Sequence, residues 1–168
     1  LTKTEDRFSA KKDITVEQYV HDTHEKLISL IREFERVLGN ERCHEIVSEW
    51  AARESVSNVK ALMAAEKKPI RGFQDVKKLL SRWVAQIDND NMENVKIVRE
   101  DSIQSYAHVS ACVLAKVLRS MNAADIGQLL YCKHDFAGAN AIHPSVALKR
   151  EKTLMQGDDC CDFLYYWK

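Results

Sequence analysis

The chain has 168 residues, with 25 Lys plus Arg against 25 Asp plus Glu, so its formal net charge is zero. That balance excludes a protein that works through a bulk basic field on nucleic acid or on an anionic membrane. At 45% hydrophobic and 30% charged residues, with 5 Gly and 2 Pro, it reads as helix-rich and globular rather than disordered.

Residues 1–14 are polar and are expected to form a flexible N-terminal segment. They lack the apolar stretch of a secretory signal. Val16, Tyr19, Val20, Leu27, Leu30, Ile31, Phe34, Val37 and Leu38 recur with helical spacing, and Gly39 provides a stop. A second helix is expected from Asn40, carrying Cys43, Ile46, Val47, Trp50, Val59, Leu62 and Met63. Pro69 and Gly72 mark a break. A third helix starts near Phe73, with Val76, Leu79, Leu80, Trp83, Val84 and Ile87 on one face. Asp88 to Asn91 reads as a loop.

The pattern then changes. Val95 to Arg99 alternates like a strand. Ser105 to Met121 is expected to be helical, with Val109, Cys112, Val113, Lys116 and Val117 in register. Ile126, Leu129 and Leu130 suggest a short helix. Val146, Leu148, Arg150, Lys152 and Leu154 alternate as a strand, Gly157 to Asp159 reads as a hairpin turn, and Phe163 to Trp167 closes as an aromatic strand. The expected fold class is α+β. An N-terminal helical layer packs on a small antiparallel sheet formed mainly by the C-terminal third. Residues 15–168 are expected to form one domain, helical over 15–91 and mixed over 92–168.

Five cysteines are an odd number, which argues against a closed disulfide framework and for free thiols in a cytoplasmic setting. No run of about 18 apolar residues exists to span a membrane. Cys132, His134 and Asp135 lie within four residues, so a turn there would bring thiol, imidazole and carboxylate to one cleft. Asp135 could instead cap a helix over 136–141. Cys112 on a helix stripe could be a small core residue. Arg150 alternates with Leu148; if a helix covers its face it needs a partner, and Asp158 and Asp162 are near in sequence. Cys161 and Phe163 should share a strand face, with Asp162 on the other. A metal on Cys132, His134, Cys160 and Cys161 lacks paired-ligand spacing, so no metal is expected. His21, His24 and His44 read as helix-surface or interface residues.

The blocks Val109 to Ala115, Asn122 to Gly127 and Cys132 to Asp135 are followed by Leu148 to Arg150, Thr153 to Met155, Gly157-Asp158 and Cys161 to Phe163. In this order they resemble the L-2-amino-thiazoline-4-carboxylic acid hydrolase family, over roughly residues 105–167. The chain departs from that pattern at Glu151, where threonine is more usual, and by the extra Cys160.

The resemblance implies a hydrolase that opens a small cyclic amidine-type ring, a thiazoline carboxylate, towards carbamoyl-cysteine and cysteine. It implies Cys132, Asp135, Cys112 and His134 as catalytic candidates, and Arg150, Thr153, Asp158 and Cys161 as substrate-binding ones. No cofactor is implied. The expected partner is a small molecule with a carboxylate, not nucleic acid or membrane, with a homo-oligomer left open. The ending Gly157-Asp158 to Cys161-x-Phe163 is also similar to 4-vinyl reductase-type domains, which implies the alternative of a small-ligand sensor without catalysis. A third alternative is a helical interaction module.

Overall fold

The computed structural model describes residues 14–66 and 68–168. Most of the expected N-terminal segment, residues 1–13, lies outside the described residues. Helices α1 (Val16–Leu38), α2 (Asn40–Ala65) and α3 (Phe73–Asn89) come first. Strands β1 (Glu93–Glu100) and β2 (Gln104–Cys112) follow, then α4 (Val113–Ser120), α5 (Ala124–Leu130), a short 3₁₀ turn (Cys132–His134) and α6 (Asp135–Ile142). Strands β3 (Val146–Lys149) and β4 (Cys161–Trp167) end the chain. The fold is α+β, as its sequence pattern predicts.

Local chemistry accounts for the helix ends. The Thr15 hydroxyl accepts a bond from the Gln18 amide and caps α1. Gly39, at φ 80°, turns the chain directly into α2. Amphipathic α1 and α3 bury Val20, Ile28 and Ile31, and Phe73, Val76, Leu79 and Leu80, respectively.

The four strands form one antiparallel sheet in the order β1-β2-β4-β3. Its register is regular on one face. Ser105 pairs with Tyr165, Ala107 with Phe163 and Val109 with Cys161 across β2 and β4. Opposite them, Val95 pairs with Val109 and Ile97 with Ala107 across β1 and β2. Two irregularities in β1, at Asn94/Val95 and Ile97/Arg99, bend this edge strand.

Three sequence expectations are corrected. The predicted helix over 105–121 is a central strand followed by a helix. The apparent helical period arises because Val109 and Cys112 end β2 whereas Val113 and Val117 begin α4. The predicted strand over 146–154 stops at Lys149. The link from β3 to β4 is therefore an eleven-residue loop, 150–160, rather than a tight hairpin. The amides of Glu151 and Lys152 both donate to Asp162 Oδ1, at 2.9 and 2.5 Å, which peels the chain away from the ladder. Gly157 does adopt a positive φ of 103° within that loop.

Two apolar clusters hold the layers together. One gathers Ile28, Ile31, Cys43, Leu118, Ile126, Leu130 and Met155 beneath α1, α2, α4 and α5. The other gathers Phe73, Val76, Leu79, Ala139, Ile142, Val146 and Leu148 from α3, α6 and β3. Gly127 allows the first cluster to close, because a Cβ there would lie 2.6 Å from Met155 Cε. A cavity lies where residues of both clusters meet the inner face of the sheet.

Candidate functional site

The cavity has a volume of about 310 Å³. Its floor is the sheet face bearing Val95, Ile97, Ser105, Ala107, Val109, Cys161, Phe163 and Tyr165. Its roof is Ser55 and Val59 of α2, Leu80 and Trp83 of α3, Leu114 of α4, and Gly138 and Ala139 of α6. This follows from strand alternation: the small residues Ser105 and Ala107 at the centre of the sheet leave space that the helices do not fill.

The charged groups in its wall, among the described residues, are Glu93, Asp135 and Arg150. The Arg150 side chain is only 4% exposed. One guanidinium nitrogen pairs with Asp135 Oδ2, and the other donates to the Cys132 carbonyl at 2.7 Å. Its guanidinium carbon also lies 5.3 and 5.2 Å from the ring centres of Phe136 and Phe163. Asp135 is the first residue of α6, and its carboxylate turns to Arg150 instead of capping the helix. This corrects the capping alternative.

Burial pushes the Asp135 carboxyl up to about 6, with Glu93 adding to the rise and Arg150 opposing it. Burial also raises Glu93, which a hydrogen bond with Cys112 partly offsets.

Cys112, Cys132 and Cys161 all line the cavity, as three elements converge there: the end of β2, the 3₁₀ turn and the start of β4. Burial, with Glu93 beside it, pushes the Cys112 thiol up to about 12. Burial, with Asp135 beside it, pushes Cys132 up to about 12. Cys161 is raised by burial too, although it accepts the Leu154 amide at 3.3 Å. These thiols are protonated near neutral pH and are poor nucleophiles as they stand. Cys112 is a strand-end residue, not a helix-stripe one.

The other predicted residues lie elsewhere. His134 is buried, but its ring faces the Leu129 carbonyl and does not line the cavity. A cleft shared by Cys132, His134 and Asp135 is therefore corrected to one shared by Cys132 and Asp135. Thr153 is buried in the β3–β4 loop, where its amide donates to Asp158 Oδ2 at 2.7 Å and its hydroxyl accepts from the Gln156 amide at 3.1 Å. Asp158 thus holds a turn. Asp158 and Asp162 serve the loop, so the partner of Arg150 comes from α6 instead.

Sequence reasoning missed Glu93, Trp83 and Tyr165. A signal for Glu93 existed: it alternates with Val95 and Ile97, which places it on the inner face at the start of β1. Among the described residues, the group with three metal-ligating atoms within 4.8 Å of one another is Glu35, His44 and Asp125, outside the cavity. The cavity thiols do not form such a group.

The sequence model of the L-2-amino-thiazoline-4-carboxylic acid hydrolase family matches residues 20–165, and the chain belongs to that family. No curated protein matches it. Among solved structures, it is similar to the phenol-responsive sensory domain of the transcription activator PoxR, crystallised with phenol. That likeness has a TM-score of 0.55 at 12% identity, and covers 84% of this chain and 73% of the other. At that identity the likeness concerns the fold. No described helix is long and apolar enough to cross a membrane.

Proposed function

We propose that this member of the family binds a small cyclic molecule in the cavity and opens its amidine-type ring by hydrolysis, with Asp135 as the proton-transfer group. The observation that carries this reading is the Asp135–Arg150 pair in the wall of a mostly apolar, ligand-sized cavity. A carboxyl pushed up to about 6 is matched to general acid–base work near neutral pH.

The reading assigns the attack to water rather than to a thiol. Asp135 accepts a proton from water as the oxygen bonds to the ring carbon between nitrogen and sulfur. The C=N electron pair passes to the ring nitrogen, which takes up the remaining proton of the hydroxyl as the carbonyl forms. The carbon–sulfur bond breaks, and the departing sulfur takes its proton back from Asp135. Arg150 holds Asp135 in place and keeps its carboxyl from rising further. Cys112, Cys132 and Cys161 shape the wall as neutral, polarisable groups.

The test is turnover of 2-amino-thiazoline-4-carboxylate, followed by release of the free thiol. The wild type should turn over, and Asp135→Asn should lose about 10²–10⁴-fold in kcat. Cys112→Ala, Cys132→Ala and Cys161→Ala should each retain turnover within about tenfold. Loss of turnover in one cysteine variant alone, with Asp135→Asn active, returns the nucleophile to the thiol.

One observation favours a second reading, a ligand sensor without catalysis: the wall is mostly apolar and its thiols are held neutral. A fold shared with a phenol-responsive sensory domain agrees with it. Saturable binding of a thiazoline with no turnover by the wild type selects this reading.

A further inference from the structure

We infer that Glu93 sets ligand selectivity in the cavity, and that it favours a small ring bearing a cationic nitrogen donor, an amidinium or ammonium, over one whose only charged group is a carboxylate. The inference rests on reading the cavity as a ligand site.

The first observation is a charge balance. Of the three charged groups in the wall, Arg150 and Asp135 satisfy each other. The second Arg150 nitrogen is taken by the Cys132 carbonyl, and Phe136 and Phe163 lie close to the guanidinium. A ligand carboxylate could claim this cation only by breaking a buried pair, which leaves Asp135 uncompensated. Among the described residues, Glu93 has no such partner. The Cys112 thiol lies beside it, and a thiol is a weak donor. The cavity therefore offers one carboxyl that no described cation pairs with.

The second observation is position. A separate outer hollow lies beside the N-terminal end of α1, the α3–β1 link and α4. Glu93, Cys112 and Ala115 line both this hollow and the cavity. Glu93 thus stands where the cavity meets the outside, and a ligand using this way in must pass it. The cations around the outer hollow are engaged as well: Lys116 pairs with Glu17, and Arg119 donates to the Leu154 carbonyl at 2.8 Å. Among the described residues, neither rim nor wall presents a free cation to an anion, whereas the junction presents a carboxyl.

Three probes of one shape decide the matter: benzamidine, benzamide and benzoate, which carry positive, neutral and negative charge on the same ring. Binding to the full chain is read by titration calorimetry and by Trp83 fluorescence. Benzamidine should bind at least about tenfold tighter than benzoate. Glu93→Gln, checked for folding by circular dichroism, should weaken benzamidine about tenfold or more and leave benzamide within about threefold. If that variant fails to fold, Glu93→Asp replaces it; it should keep the order of the three probes while weakening benzamidine.

Benzoate binding as tightly as benzamidine overturns the inference and leaves the cavity as a ligand site. So does benzamidine binding that is unchanged in Glu93→Gln. Binding of none of the three to the wild type overturns the ligand-site reading and this inference with it.

Discussion

Two arginine–carboxylate clusters in this molecule use the same chemistry and reach opposite electrostatic outcomes. In the cavity wall, Arg150 faces Asp135 with one ion pair, and burial holds the carboxyl up to about 6. Where α1 meets α2 and α5, Arg32 reaches two carboxylates. Its Nη1 donates to Glu35 Oε2 at 2.9 Å and to Asp125 Oδ2 at 2.7 Å, and its Nη2 donates to Asp125 Oδ1 at 2.8 Å. His44 Nε2 lies 2.6 Å from Glu35 Oε1.

Burial also pulls Glu35 upward, but Arg32 and His44 together outweigh it and hold the carboxyl below its usual range. Asp125 is lowered chiefly by its bonds to Arg32. The difference lies in partner number and surroundings. Glu35 is buried beneath two polar partners, Arg32 and His44, whereas Asp135 stands in a mostly apolar cavity wall with a single cation and with Glu93 in the same wall. A structural cluster satisfies its charge; a cavity group with an upward-shifted carboxyl retains a proton that it can exchange near neutral pH.

The strongest way to break this contrast is to remove each arginine. Arg150→Met should cost about 3 kcal/mol, because it removes a buried guanidinium and the one cation paired with Asp135, whose carboxylate is only partly open to water. The urea midpoint reads this loss. Asp135 should also rise further, moving any pH dependence of turnover upward. Arg32→Met should cost far less, about 1 kcal/mol, since the Arg32 side chain is 40% exposed and Glu35 keeps His44. Equal losses from the two variants would show that partner number and the burial of the arginine do not separate the clusters as described.

Thiol reactivity sharpens the same point at a smaller scale. Cys112 and Cys132, pushed up to about 12, should react with iodoacetamide at pH 7 at least about tenfold slower than the same cysteines in urea. Mass spectrometry of the labelled chain reads each site. Native labelling at the unfolded rate would mean that the walls do not hold these thiols neutral.

Much of the architecture was legible because α1, α3 and β4 carry clean periods in their own residues. The site was half legible. Cys132, Asp135 and Arg150 were identified from short blocks, but their pairing depends on α6 packing beside the end of β3, a contact between separate elements. Asp158 and Asp162, nearer to Arg150 in sequence, were drawn away by loop amides that only the fold exposes. His134 illustrates the opposite failure. Cys132 before it and Asp135 after it both line the cavity, yet the 3₁₀ turn rotates its ring to the Leu129 carbonyl. Sequence adjacency set the composition of the cluster, and the turn decided which members face inward. Glu93 was hidden by being one charge at the start of a strand, with no motif around it.

The smallest and sharpest expected effect is a pH slope of opposite sign from each cluster. An unfolded Asp titrates at about 3.9. The folded value for Asp135 is higher, at about 6, so the folded state holds that proton more tightly. The resulting stability is fully present below about 3.9 and is lost as pH rises through about 6. Asp125 and Glu35 are shifted down, so their stability is present above the unfolded values and is lost as pH falls through the folded ones. Between pH 4 and 6, Asp135 alone among these three should pull stability down as pH rises. About a third of its side chain is open, which limits the contribution to about 1 kcal/mol. Asp135→Asn strands Arg150 and lowers the whole curve, but it should remove this slope between pH 4 and 6. Asp125→Asn should leave that slope and flatten the loss below pH 4. Urea midpoints at pH 3 to 7 for the three proteins read both. An unchanged slope in Asp135→Asn would mean that its carboxyl titrates as an ordinary surface group, and the contrast between the two clusters would fail at its cavity end.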